Sequence, residues 1–246
     1  MERAQSISHG AGIAPHQVRS MPAQLQTVRF PPDTMKFLRE IKAHNEKTWF
    51  EPNKPRYEAI KAVALEFVEE AGLLLQNVSP HVVADAKPVG GSLMRIYRDT
   101  RFSKDKSPYK TAIGIHFHHD AMTEEHGAPG FFLHIEPGES GVYAGMWHPD
   151  TASLGKIRDA IVADPAGWKK AKGKLKFEGE SLARVPRGYD ADHPMADDLR
   201  RKDFVGVVAL KDADVLAADF VPKFVAACKT LAPLNEFLAE AVGAKW

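Results

Sequence analysis

The sequence predicts an α+β fold: an antiparallel meander sheet packed with helices from the N- and C-terminal parts of the chain. Three observations carry that expectation. Apolar residues recur every three or four positions between Phe37 and Leu74, the period of helices with one buried face. Four short runs follow between residues 93 and 146, each bounded by Gly, Pro, Asp or Ser, as strands are. Their connections are too short for crossover helices, which makes the pairing antiparallel. Helical segments then close the chain as far as Val242. Helices on either side of one meander make an α+β arrangement.

In chain order, residues 1–28 are polar, rich in Gln, Ser and His, and without a hydrophobic period. They are expected to be a disordered extension ahead of a single domain over residues 29–246. Asp33 or Thr34 is placed to cap a first helix whose buried side is Phe37, Leu38 and Ile41. His44, Asn45 and Glu46 end it, and Trp49 and Phe50 anchor the link. Pro55 suits the first turn of a second helix running to about Leu75. Tyr57, Ile60, Ala64, Phe67, Ala71 and Leu74 form its inner stripe. The strands are expected over 93–98, 112–118, 131–136 and 142–146. Leu154, Ile157, Ile161 and Val162 mark a third helix that stops at Asp164-Pro165. Residues 166–200 are mixed, with a weak strand signal at 182–185 and a loop over 186–194. A further strand spans 204–210, and Asp212 caps the closing helices.

Hydrophobic residues make up 44% of the 246, enough to bury a core without disulfide staples. The single cysteine, Cys228, has nothing in the chain to pair with. A reducing, cytoplasmic setting is therefore expected, with Cys228 a small buried hydrophobe. No apolar run approaches the ~20 residues of a membrane span, and the N-terminus lacks a secretory pattern, so no membrane partner is expected. A net charge of +1 argues against binding extended nucleic acid and leaves room for a local anion site. The sequence is silent on oligomeric state.

The chemistry concentrates in residues 95–111. Six Lys or Arg residues stand there against Asp99 and Asp105, a local excess of four positive charges. Phe102 and Tyr109 are expected to pin the loop on the core. Arg95, Tyr97, Arg98, Arg101, Lys104, Lys106, Tyr109 and Lys110 would then form a site for a small anionic ligand, phosphorylated or carboxylated. Guanidinium forks match such oxygens bidentately, and lysines add point charge. Were the protein an enzyme, a point the sequence leaves open, Tyr109 or Asp99 would be the proton-transfer groups. The competing expectation is a solvated loop in which Asp99 and Asp105 neutralise their basic neighbours. The same patch also suits a noncatalytic module that docks an acidic protein segment or a short nucleic acid.

This motif, with Asn45, Trp49, Phe50, Lys54 and Tyr57, resembles the conserved hypothetical family catalogued as domain of unknown function 2461. Phe131-Phe132-Leu133-His134-Ile135, Gly145-x-Trp147-x-Pro149 and Leu154-x-x-Ile157-Arg158 extend the likeness over about residues 30–240. His44 and Glu46 depart from it, standing where the family more often has asparagine. The resemblance implies a single-domain protein of bacterial or fungal type and no particular reaction.

His116 and His118 share one face of a strand while His119 points the other way. His116 and His118, with His134 and Glu136 or Asp120, are the candidate ligands for a metal-dependent hydrolase site. The common zinc spacings are missing. No cofactor is expected, because the chain lacks a phosphate loop, a dinucleotide fingerprint and a nucleophile elbow. Gly138-Glu139-Ser140-Gly141 is better suited to a hairpin turn. Asp190, Asp192, His193, Asp197 and Asp198 are expected in a solvated loop. Trp147 and His148 border either a pocket or the core.

Overall fold

The computed structural model describes residues 28–123 and 127–246. The expectation for residues 1–28 therefore lies outside the described residues, except at Val28, which packs into the core. Helix α1, Thr34–Ala43, buries Met35, Phe37, Leu38 and Ile41. Asp33 precedes it without capping it, because the Asp33 carboxylate accepts from Arg56 at 2.6 and 2.9 Å. Arg56 also reaches Glu40 at 2.6 Å, so one guanidinium ties α1 to the next helix. Helix α2, Lys47–Leu75, begins well before Pro55 and contains both Pro52 and Pro55. Ring contacts of Trp49 with Phe37 at 5.8 Å and of Phe50 with Tyr57 at 5.9 Å hold this early segment. Tertiary packing overrides the loss of two backbone donors.

The sheet follows: β1 Val82–Val83, β2 Ile113–His119, β3 Gly130–Ile135 and β4 Gly141–Met146, joined later by β5 Lys176–Glu178 and β6 Phe204–Ala209. Its spatial order is β1-β2-β3-β4-β6-β5, and each neighbouring pair is antiparallel. The segment expected as a strand at 93–98 makes only isolated pairings, Leu93 with Ile115 and Tyr97 with Tyr109. Met94 and Ser92 bond to the start of β2. The chain then folds back, and Ile96 and Arg98 bond to its own returning limb at Lys110 and Pro108. The backbone groups that would extend a ladder along β2 are spent within the motif.

Beyond the meander, Asp150 caps α3, Thr151–Ala163, by accepting from Ser153 N–H. The sequence reading missed α4, Pro165–Lys172, although Asp164 caps it through Gly167 N–H and Pro165 opens it. The expected strand at 182–185 is absent. Its start is tied instead by a bridge from Ser181 to Arg201 and a bond from Leu182 N–H to the Arg200 carbonyl. Short helices α5, Ala196–Leu199, and α6, Asp212–Val215, lead to α7, Phe220–Val242, which ends at Gly243 in the left-handed region.

Helices α2 and α7 cover one face of the sheet. Phe67 meets Phe220 at 5.2 Å and Phe224 at 5.1 Å, and Phe117 of β2 joins them. A second apolar cluster gathers Ile157, Ile161, Trp168, Leu199, Phe204 and Leu238. Cys228 is buried in the first, larger cluster. No helix among the described residues is long and apolar enough to cross a membrane.

Candidate functional site

Among the described residues, the opposite face of the sheet is left open. Alternation places His116, Phe132 and Tyr143 on that face, and the register sets them in one row across β2, β3 and β4. All three are only partly buried. In the next row His134 lies between Gly114 and Gly141, and Gly130 pairs with Gly145 beyond. Glycines on this face contribute no side chains, so the larger groups stand around a hollow. A cleft of about 860 Å³ is lined there by Met94, Phe132, Tyr143, Met146 and Trp147, among others. Met94, Phe132 and His134 continue into a second cleft of about 530 Å³. Together they make one groove across the sheet.

The second cleft ends on the basic motif. Of the eight residues expected to bind a ligand, Arg98, Tyr109 and Lys110 line it, beside Lys42, Asn45 and Glu136. Arg95, Tyr97, Arg101, Lys104 and Lys106 do not line either cleft. Buried aromatic packing holds the returning limb, as Tyr109 stacks on Phe50 at 4.1 Å. Asn45 clamps the same limb, donating to the Tyr109 carbonyl at 2.9 Å and accepting its N–H at 3.0 Å. Phe102, expected to be a second pin, is 95% exposed. It points into solvent, with the Arg101 guanidinium 5.7 Å from its ring centroid.

The charges differ sharply along the motif. Arg98 pairs with Asp105 and donates to the Ser107 carbonyl at 3.2 Å. Arg101 and Asp99 form a forked pair at 2.6–3.2 Å, and Lys106 donates to the Thr100 carbonyl at 2.8 Å. Hydrogen bonds from Ser107 and Arg98 hold the Asp105 carboxyl far below the usual carboxylate range. Lys110 is different. Its Nζ lies 3.7 Å from the Met94 sulfur, and among the described residues no carboxylate lies within ion-pair distance of it. Burial, and then Arg95, push its pKa below the usual lysine value. Burial raises the Tyr109 hydroxyl, which makes it a donor and not a base at neutral pH.

Among the described residues, His116, His118 and His134 do not gather into a set of metal ligands. His116 and His134 both pack against Phe132, each 6.4 Å from its ring. His134 bonds to Glu136 at 3.1 Å, and Lys42 takes the other Glu136 oxygen at 2.8 Å. Burial and the neighbouring His118 lower the pKa of His116, which keeps its ring neutral. Trp147 is exposed at the groove's rim. His148 beside it has φ 48°, held by a bond from its N–H to the buried Asp203 carboxylate at 2.8 Å. Most of the acidic segment is solvated as expected, but Asp198 is buried between Lys172 at 2.6 Å and Arg201 at 3.1 Å.

Sequence reasoning found the cationic end of the groove and missed its floor. The available signal was the placement of glycines at one parity of the strands, beside Phe132 and Tyr143. A family model described as "Conserved hypothetical protein (DUF2461)" matches residues 33–237. No curated protein matches the chain, and no solved structure does.

Proposed function

Since the chain belongs to the conserved hypothetical protein family DUF2461, whose description names no reaction, we propose a function from the groove: binding a small molecule that joins an apolar or aromatic body to a carboxylate or phosphate. Lys110 carries the proposal. A partly buried ammonium without a carboxylate partner is unfavourable, and an incoming anion relieves it through a charge-assisted bond. Arg98 stands in the same cleft as a second donor. Phe132, Tyr143, Met146 and Trp147 offer the apolar body its surface, with His134 and Tyr143 as polar handles along the way.

The test uses two probes of similar shape, anilinonaphthalene sulfonate and the uncharged phenylnaphthylamine, titrated by fluorescence. Lys110→Met is expected to weaken the sulfonate about tenfold, near 1.4 kcal/mol, and to leave the uncharged probe unaffected. Phe132→Ala weakens both. A Lys110→Met variant that binds both probes like wild type overturns the reading.

Phe102 favours a second reading. An aromatic ring 95% exposed, with the Arg101 guanidinium 5.7 Å from its centroid and Lys104 and Lys106 nearby in sequence, suits an acidic protein segment docking on the loop tip. Binding to a poly-glutamate peptide would weaken steeply with salt and with Phe102→Ala. Salt-insensitive binding counts against it.

A further inference from the structure

Away from the residues that line the groove, His81, His119 and Asp120 meet at the edge of the sheet. His81 precedes β1, His119 closes β2, and the pairing of Val82 with His119 sets them side by side. Their imidazoles stack at 5.3 Å and 12°. One ligand atom from each of the three residues lies within 4.8 Å of the other two, and among the described residues no other group of histidine, cysteine and carboxylate side chains does so.

The orientation of His119 is imposed from outside. Its ring is buried, and Nε2 lies 2.6 Å from the Lys245 carbonyl oxygen. That oxygen only accepts, so Nε2 carries the proton and Nδ1 keeps a lone pair in the neutral ring. Nδ1 accepts from Ala121 N–H at 3.0 Å and also faces Asp120 Oδ1 at 3.1 Å. Ala121 N–H is the positive group that these two acceptors share, and a cation placed between them would hold both more strongly. His81 Nδ1 lies 2.8 Å from the other Asp120 oxygen.

We propose that His81, His119 and Asp120 bind a divalent transition-metal ion of the zinc class at this sheet edge. Two imidazoles and one carboxylate are a donor set that zinc accepts. A backbone carbonyl on the remote N–H is the usual means of orienting a ligating histidine. The ion takes the Nδ1 lone pair in place of Ala121 N–H. Asp120 is half exposed and His81 partly so, which leaves a solvent-facing position for water. Trp246 packs on the His119 ring at 6.0 Å, so the ion ties β1, β2 and the C-terminal tail together.

Full-length, tag-free protein is stripped with chelator and titrated with Co2+, read by visible absorption, with Zn2+ as competitor. One ion per chain is expected, with Tm rising by roughly 5 °C at a hundredfold excess over Kd. His81→Ala and Asp120→Asn, both at the surface, should each weaken binding at least about tenfold. His118→Ala, which alters the open-face histidines, should leave it unchanged. Absence of stoichiometric binding overturns the proposal. So does binding that survives both edge variants, or that vanishes in His118→Ala.

Discussion

Single residues decide whether the basic motif is a loop or a site. Asn45 satisfies both backbone groups of Tyr109, so Asn45→Ala leaves a carbonyl and an N–H unpaired beside buried rings. A loss of about 2 kcal/mol is expected, measured by denaturant unfolding, and Asn45→Asp should fall between it and wild type because it keeps the acceptor. Asp198 makes the second residue-scale prediction. Burial raises its pKa, but hydrogen bonds, from Lys172 foremost, outweigh that and leave it below the ordinary value. A carboxyl with a depressed folded pKa contributes stability above its unfolded pKa and loses it as pH falls through the folded one. Asp198→Asn should therefore destabilise the protein at neutral pH by about 2 kcal/mol and flatten the fall in Tm between neutral pH and about pH 3. An unchanged pH profile would refute the assignment.

At the scale of elements, strand β4 depends on close approach to β6. Gly145 has φ 123°, and a Cβ there would lie 1.8 Å from the Phe204 carbonyl oxygen, which belongs to rigid backbone. Gly145→Ala is expected to cost more than about 2 kcal/mol, visible as a large drop in Tm. Gly114 is the contrasting case. A Cβ there meets the Phe132 ring tip at 2.9 Å and the Met94 sulfur at 3.1 Å, both free to move in the groove. Gly114→Ala should change Tm by under about 3 °C while weakening the uncharged naphthyl probe, because it narrows the joint between the two clefts. The element expected at 93–98 shows what alternation alone misses. A strand pattern says that residues face opposite ways, not which neighbour takes their hydrogen bonds. Here the motif's own returning limb takes them.

On the scale of the whole molecule, α2 and α7 cover one face of the sheet, the other is open among the described residues, and the β1 edge is strapped by the last residues of the chain. Trp246 rests on His119 and Phe131, and the Lys245 carbonyl accepts from His119. Removing residues 244–246 should lower stability by about 1–2 kcal/mol, read as a fall in Tm, and should loosen any metal bound at that edge. The amino-acid sequence by itself determined the α+β class and the family, and it marked the basic motif of which Arg98, Tyr109 and Lys110 reach the groove, because hydrophobic period, turn residues and local charge are written along the chain. It could not show that Arg98 and Arg101 are answered by Asp105 and Asp99 while Lys110 meets no carboxylate among the described residues, nor that His119 is turned by a carbonyl 126 residues away. Those outcomes depend on which distant groups the folded chain brings within about 3 Å, and only the tertiary structure decides that.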